Sequence, residues 1–266
     1  RPDSGYSRAI LNPKGGLISH VGEGNRKDIR NAVEAASKSA SWSTNNGHNR
    51  AQILFYLAEN LEARREEFAL RLQQQCGGRK SVAELEVDTS ISRLFTYAAW
   101  ADKFDGATHS TPMRSIAMSV HEPHGIVGVV CPDENPLLGF IALVAPCIAM
   151  GNRVVVVPSE QHPLSATDLY QVLDTSDVPA GVVNLVCGDK LSLGTVLAEH
   201  DNVDAVWFYG DQAGAAAIEA AAARNLKVTW TNAGKRYDWV NGAEAQGQAF
   251  LRRATQVKTI WAPYGE

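Results

Sequence analysis

Cysteine is scarce in this chain of 266 residues: four occur, Cys76, Cys131, Cys147 and Cys187, and no two stand at CxxC spacing. That argues against a disulfide-stapled scaffold or a zinc ribbon, and it predicts buried thiols in a reducing, cytoplasmic compartment. The seven histidines are scattered, none with a partner at metal-ligand spacing, so no metal site is expected. No apolar run reaches the ~20 residues that cross a bilayer, and no signal peptide is evident. An excess of one charge is missing too. Lys and Arg total 25 against 29 Asp and Glu, a net −4, which argues against nucleic-acid and membrane partners. There is no G-x-G-x-x-G fingerprint and no internal repeat, and low complexity is confined to AGAAAIEAAAA. The chain opens on Arg1 rather than methionine, which predicts a fragment or an excised domain.

What is present is periodicity that changes along the chain. Two apolar stretches between Arg8 and Val21 flank the Pro13–Gly16 turn and predict a small hairpin. Ile29, Val33, Ala36 and Ala40 share one helical face; Leu54, Leu57, Leu61, Phe68 and Leu72 share another, with the charged run Glu62–Glu67 on the wet side. A third helix is expected from about Ala83 to Phe104, burying Leu94, Phe95 and Ala98, with Gly77, Gly78 and Gly106 as punctuation. In RSIAMSVHEPHG the period drops to two, predicting a strand whose apolar face is Ile116, Met118 and Val120.

Five β-branched runs follow: Ile126–Val130, Arg153–Val157, Val182–Val186, Ala205–Phe208 and Lys227–Trp230. Helix-like segments at Leu137–Met150, Ser165–Asp174, Leu191–His200 and Ala213–Arg224 separate them. Strands alternating with helices make a parallel sheet with right-handed crossovers, so the fold class is a doubly wound α/β sheet preceded by helices. Ala243–Arg253 reads as one more helix, and Thr255–Trp261 as a strand with no neighbour in that series. Its partner is expected to be the other orphan, Ser115–His121, or the same elements of a second subunit, because a bare edge invites association.

These segments resemble an aldehyde dehydrogenase. NPKGGLISHVGEGNRKDIRNAVEAA, YAAWADKFDGAT, HEPHGIVGVV, NPLLGFIALVAPCIAMGNRVVVVPSE and VPAGVVNLVCG carry the resemblance across nearly all of the first 240 residues. The ending FLRRATQVKTIWAPYGE is similar to the family's C-terminal strand that joins subunits. Between Trp239 and Ala249 there is no room for a catalytic domain. A cofactor-type domain running almost directly into an oligomerisation strand resembles the truncated second unit of the sixteenth aldehyde dehydrogenase family. The resemblance divides the chain into 1–111 (hairpin and helices), 112–124 (oligomerisation strand), 125–242 (Rossmann-like sheet) and 243–266 (C-terminal helix and oligomerisation strand).

The family's chemistry is then checked position by position. The nucleophilic cysteine falls near Gly265, and no cysteine follows Cys187. Cys131 is the one tempting substitute, but no adjacent His or Lys would activate it, so it reads as a core thiol. The general-base glutamate of E-L-G-G-K is replaced in Thr231-Asn232-Ala233-Gly234-Lys235 by a threonine that takes up no proton near neutrality. The oxyanion-holding asparagine of P-W-N-F-P becomes Glu134 in Pro132-Asp133-Glu134-Asn135-Pro136, since the two prolines oppose a slip onto Asn135. The lysine of K-P-x-E, which grips the cofactor's ribose, is Val157, although Glu160 remains. The serine of F-T-G-S is Asp211, a carboxylate at the helix start where a diphosphate would sit, with Lys190 offering partial compensation. Glu160, Gly188, Gly194 and Gly210 are the residual cofactor positions, and no catalytic residue is expected.

His121 and His124 flank a turn and read as solvated, and Arg252-Arg253 favours a helix C-terminus. The resemblance therefore implies a non-catalytic unit. It would serve assembly and stability of a larger NAD-dependent aldehyde dehydrogenase and bind no cofactor itself. Its partners would be a second copy, through 112–124 and 255–262, and a catalytic unit in the same polypeptide. The alternatives are a regulatory nucleotide-binding module, or an NAD-dependent oxidoreductase with a rearranged site.

Overall fold

In the computed structural model, which describes residues 5–264, the chain begins with the expected hairpin, β1 (Ser7–Leu11) and β2 (Leu17–Gly22). Asn12 makes its turn by accepting from the amides of Lys14 and Gly16, each at 2.9 Å. Helix α1 (Arg26–Lys38) starts on a capping box in which Asn25 and Asp28 satisfy each other's amides. It buries Ile29, Val33 and Ala36 but ends before Ala40, which is exposed. The Ser39 hydroxyl donates to the Ala180 carbonyl at 2.5 Å and pulls the chain away.

After the short α2 (Ser41–Thr44), the long helical stretch breaks in two at Arg64, giving α3 (Gly47–Ala63) and α4 (Arg65–Cys76). The expected leucines and Phe68 are buried in both pieces. Helix α5 runs over Lys80–Trp100, starting and stopping a few residues ahead of expectation, with Phe95 only half-buried.

Among the described residues five parallel strands form the central sheet: β5 (Ile126–Val130), β6 (Arg153–Val157), β7 (Val183–Leu185), β8 (Ala205–Phe208) and β9 (Val228–Thr231). Their spatial order is β7-β6-β5-β8-β9, so the winding reverses at β5. The crossovers are α6 (Pro136–Ala149), α7 (Leu164–Asp174), α8 (Lys190–Glu199) and α9 (Gln212–Ala222). Every residue of α6 is buried. This helix is sandwiched between the sheet and the α3/α5 layer, which explains an apolar composition all the way round. Side chains alternate along β6: Val154 and Val156 join the core on the α6 side, while Val155 and Val157 join the one under α1 and α8.

The orphan strand finds the partner expected within the chain. Strand β4 (Ser115–Pro123) pairs antiparallel with the last strand, Thr255–Pro263, and β3 (Ala107–His109), not foreseen, lies on its other side. The expected alternation along β4 is present. Ser115 and Ala117 are the buried positions, whereas Ile116 is 43% exposed. Ile116, Met118 and Val120 look out beside Ile260 and Ala262, because alternation marks an apolar face without saying what covers it. The expected helix over Ala243–Arg253 is two short ones, α10 (Gly242–Ala245) and α11 (Gln248–Arg253), separated at Gly247, whose φ is 105°. The terminal strand is thus β10.

Two histidines read as solvated turn out to hold the root of β10. The His121 ring packs on Phe104 with centroids 4.4 Å apart, and its Nδ1 lies 3.3 Å from Thr255 Oγ1. His124 Nε2 is 3.1 Å from the Arg253 carbonyl, and burial lowers its pKa. Asn152, fully buried, donates to the carbonyls of Cys147 (3.0 Å) and Ala254 (2.7 Å) and accepts from Gly125 N (3.1 Å). One amide thus ties the end of α6 to the starts of β5 and β10. No described helix is long and apolar enough to cross a membrane.

Candidate functional site

Where an open α/β sheet reverses its winding, the loops beyond the carboxyl ends of the strands form a cleft. Here it measures about 760 Å³ and is lined by the loops after β5, β8 and β9 and by the α4–α5 turn. Four helices aim their N-termini toward this end of the sheet; the first amide of α7 goes to Gln75, and the chain supplies an acid to each of the other three. Asp211 caps α9, accepting from Gly214 N at 2.7 Å. Asp189 caps α8, accepting from Ser192 N at 2.6 Å, and Glu160 adds a second carboxylate by accepting from Lys190 N at 3.1 Å. The N-cap of α6, Asn135, stands in the left-handed region (φ 47°) and makes no capping bond, so Glu86 reaches across from α5. Its Oε1 accepts from Leu137 N (3.0 Å) and Leu138 N (3.2 Å), and its Oε2 from Asn135 Nδ2 (3.3 Å). Amides and dipoles that would welcome a phosphate are thereby satisfied internally.

Glu86 is 6% exposed, and burial raises its carboxyl pKa despite those three donors. A folded-state value above the unfolded one gives stability that is complete below the ordinary glutamate range and is lost as pH rises through the raised value. Glu86→Gln removes that loss. In urea titrations between pH 4 and 8, the stability of the variant relative to the natural chain is expected to improve steadily with pH, and a pH-independent difference would contradict the assignment.

A second carboxylate closes the mouth. Asp133 Oδ1 accepts from Ser159 Oγ (2.8 Å), Glu160 N (2.9 Å) and Gln161 N (3.3 Å), while Oδ2 meets Lys190 Nζ at 3.0 Å. Burial works to raise this acid, but the Lys190 charge and the donated hydrogen bonds outweigh it and hold the carboxyl below its usual range. Lys190, expected to offset a lost phosphate contact, is instead spent on Asp133.

The remaining family positions are placed as follows. Val157 is fully buried beneath α1 and α8, so the strand exit presents no ribose-gripping group. Glu160 faces the amide of Lys190. Gly194 allows α8 to approach the sheet, since a Cβ there would come 3.1 Å from both Val130 and Ile218 side chains. A Cβ on Gly188 would meet Leu193 at 2.7 Å, and one on Gly210 would meet the Phe208 ring at 2.6 Å. These glycines are explained by packing. Thr231 Oγ1 donates to Glu219 at 2.7 Å. Glu134 is paired with Arg236 at 3.8 Å. Cys131 is completely buried, and burial pushes its thiol well up; Cys187 is pushed up to about 11 for the same reason. Cys76 is exposed, which corrects the expectation of buried thiols throughout. Gly265 lies outside the described residues. Among those described, no three His, Cys, Asp or Glu side chains come together as a metal site. A buried valine and a capping aspartate at the cofactor-gripping positions do not fit a dinucleotide.

The connection from β9 to α10 and α11 is closed by packing. Trp239 is 2% exposed and sits 5.2 Å from Tyr209 and 5.4 Å from Tyr237, centroid to centroid. Arg93, 1% exposed, donates to the Trp239 carbonyl at 2.9 Å and to Gln246. Trp230 stacks edge-on to Phe250 at 5.0 Å, tying β9 to α11. Sequence reasoning missed Glu86, Asp133 and Trp239. The one hint was an indole in a segment otherwise polar enough for a loop.

Comparison with known proteins adds four findings. The model described as the aldehyde dehydrogenase family matches residues 2–249. An aldehyde dehydrogenase from Agaricus bisporus is 36% identical over 234 residues, covering 85% of this chain and 47% of its own. Aldehyde dehydrogenase 1A1 from Rattus norvegicus is 35% identical over 242 residues, covering 87% and 48%. The solved structure of betaine aldehyde dehydrogenase from Staphylococcus aureus in complex with NAD+ matches with a TM-score of 0.83 at 27% identity, over 87% of this chain and 47% of that one. The chain spans about half the length of the curated relatives it matches.

Proposed function

Since this chain belongs to the aldehyde dehydrogenase family, we propose that it is a non-catalytic unit of a larger NAD-dependent enzyme that oxidises aldehydes to carboxylic acids. Its role is assembly and stability. The catalytic machinery belongs to a complete unit in the same polypeptide, in keeping with the resemblance to the second unit of the sixteenth family. The observation that carries the reading is the fate of the helix N-termini: α6, α8 and α9 are each served by the chain's own carboxylates. An incoming diphosphate would have to displace an acid and then sit beside it, which opposes binding on both counts. The sealed Trp239 seam supports the same reading, because nothing is left gaping where half the family enzyme is missing. Assembly proceeds through 112–124 and 255–262 of two copies, whose apolar face and outer edge are otherwise uncovered.

Calorimetry decides between this reading and a regulatory nucleotide site. Titration of the chain with NAD and with NADP is expected to give no saturable heat up to millimolar concentrations. The double change Val157→Lys, Asp211→Ser is expected to raise affinity at least roughly tenfold, on the order of one to two kcal/mol. Micromolar NAD binding by the natural chain, or aldehyde-dependent NADH production by it, would refute the proposal.

A further inference from the structure

Asp133 is held the way a protein holds a bound anion. Four donors from two different loops converge on its two oxygens: the Ser159 hydroxyl, the successive amides of Glu160 and Gln161, and the Lys190 ammonium. Consecutive main-chain amides and a hydroxyl on one oxygen, with an ammonium on the other, are a usual means of binding a phosphate or carboxylate. The donors are preset. Ser159, 1% exposed, accepts from His162 N at 2.9 Å, which leaves its own proton for Asp133. The Lys190 side chain is 12% exposed, so its charge is largely out of water and requires a counter-ion.

Nor does Asp133 itself hold these donors in place. The Ser159–His162 turn closes on its own bond and leads into α7, whose first amide, Leu164 N, is taken by Gln75 at 3.0 Å. Lys190 opens α8, which is anchored by Asp189 and by the Glu160 carboxylate. The Glu160 carboxylate is turned toward the Lys190 amide.

We propose that the Ser159–Gln161 turn and Lys190 form an oxyanion site which the chain fills with its own Asp133 carboxylate, and that removing this carboxylate opens the site to phosphate or to a small carboxylate. The inference goes beyond the reading that the natural chain binds no dinucleotide and concerns only the donors that Asp133 occupies after β6 and β7.

The test is chemical rescue of Asp133→Ala. Its thermal unfolding is followed in sodium phosphate, sodium acetate and sodium chloride at matched ionic strength, beside the natural chain and the double variant Asp133→Ala/Lys190→Ala. Asp133→Ala is expected to melt below the natural chain and to regain several degrees, saturably in the millimolar range, with phosphate or acetate but not with chloride. The double variant is expected to gain only what salt gives every form. The two anion arms tell a tetrahedral occupant from a planar one. If Asp133→Ala proves unfolded without added anion, recovery of its circular dichroism in phosphate against chloride replaces the melting shift. A gain no greater than that of the natural chain, or no anion-specific recovery, overturns the proposal. Binding of NAD by the natural chain would sink the assembly reading while leaving this result to stand on its own.

Discussion

Trp239→Ala is expected to lower the unfolding free energy by about 3–5 kcal/mol, the range for removing a buried indole from a packed core. Trp239 lies in the short connection from β9 to α10, a place where an ordinary loop substitution would cost less than about half a kcal/mol. It is 2% exposed and clustered with Tyr209 and Tyr237, and its carbonyl receives Arg93 from the opposite helical layer. Truncation would leave a void lined by the buried Tyr209 ring and the buried guanidinium of Arg93, neither of which can collapse into it. Urea denaturation followed by circular dichroism measures the loss directly. A change below about 1 kcal/mol would mean that this connection is a passive linker.

The second large effect concerns association. Ile260→Glu is expected to weaken self-association at least roughly a hundredfold, near 2.7 kcal/mol, while moving the melting point of the monomer by no more than about two degrees. Ile260 is 38% exposed in the single chain and lies directly across from Met118, beside Ile116, on an apolar face with no layer over it. A carboxylate there keeps its water in the monomer. In a dimer that covers the face, it would be desolvated without a partner. Sedimentation equilibrium of the variant and the natural chain decides the matter. Identical dimerisation by both, or a strictly monomeric natural chain, would remove this face from the assembly.

Much of the fold was legible because its signals are local. The five strands announce themselves as β-branched runs, the hairpin by Pro13–Gly16, and the pairing of β4 with β10 by elimination, as two strands left over from the parallel series. The burial of Val157 and the capping role of Asp211 were likewise readable, because each depends on the identity of one residue at a known place in the strand–turn–helix pattern. What was not legible depends on long-range geometry. Glu86 serves α6 from 51 residues away and Lys190 reaches Asp133 from 57, and no spacing rule connects such positions. The break at Arg64 carries no glycine or proline, so the periodicity continues through it. On β4 the alternation was legible, but which side of the strand is covered was not, for period two marks an apolar face without saying what lies over it.

The pairing of β4 with β10 also sets a timetable. Pro123 meets Thr255 across the register, so about 130 residues must be added after β4 is complete before its partner strand begins. At roughly 5–20 residues per second, the ribosome leaves the edge of β4 away from β3 unpaired for about 6–26 seconds. Over that interval every strand of the central sheet, β5 to β9, is added, so the parallel sheet is complete in the chain before the β4 edge receives its partner.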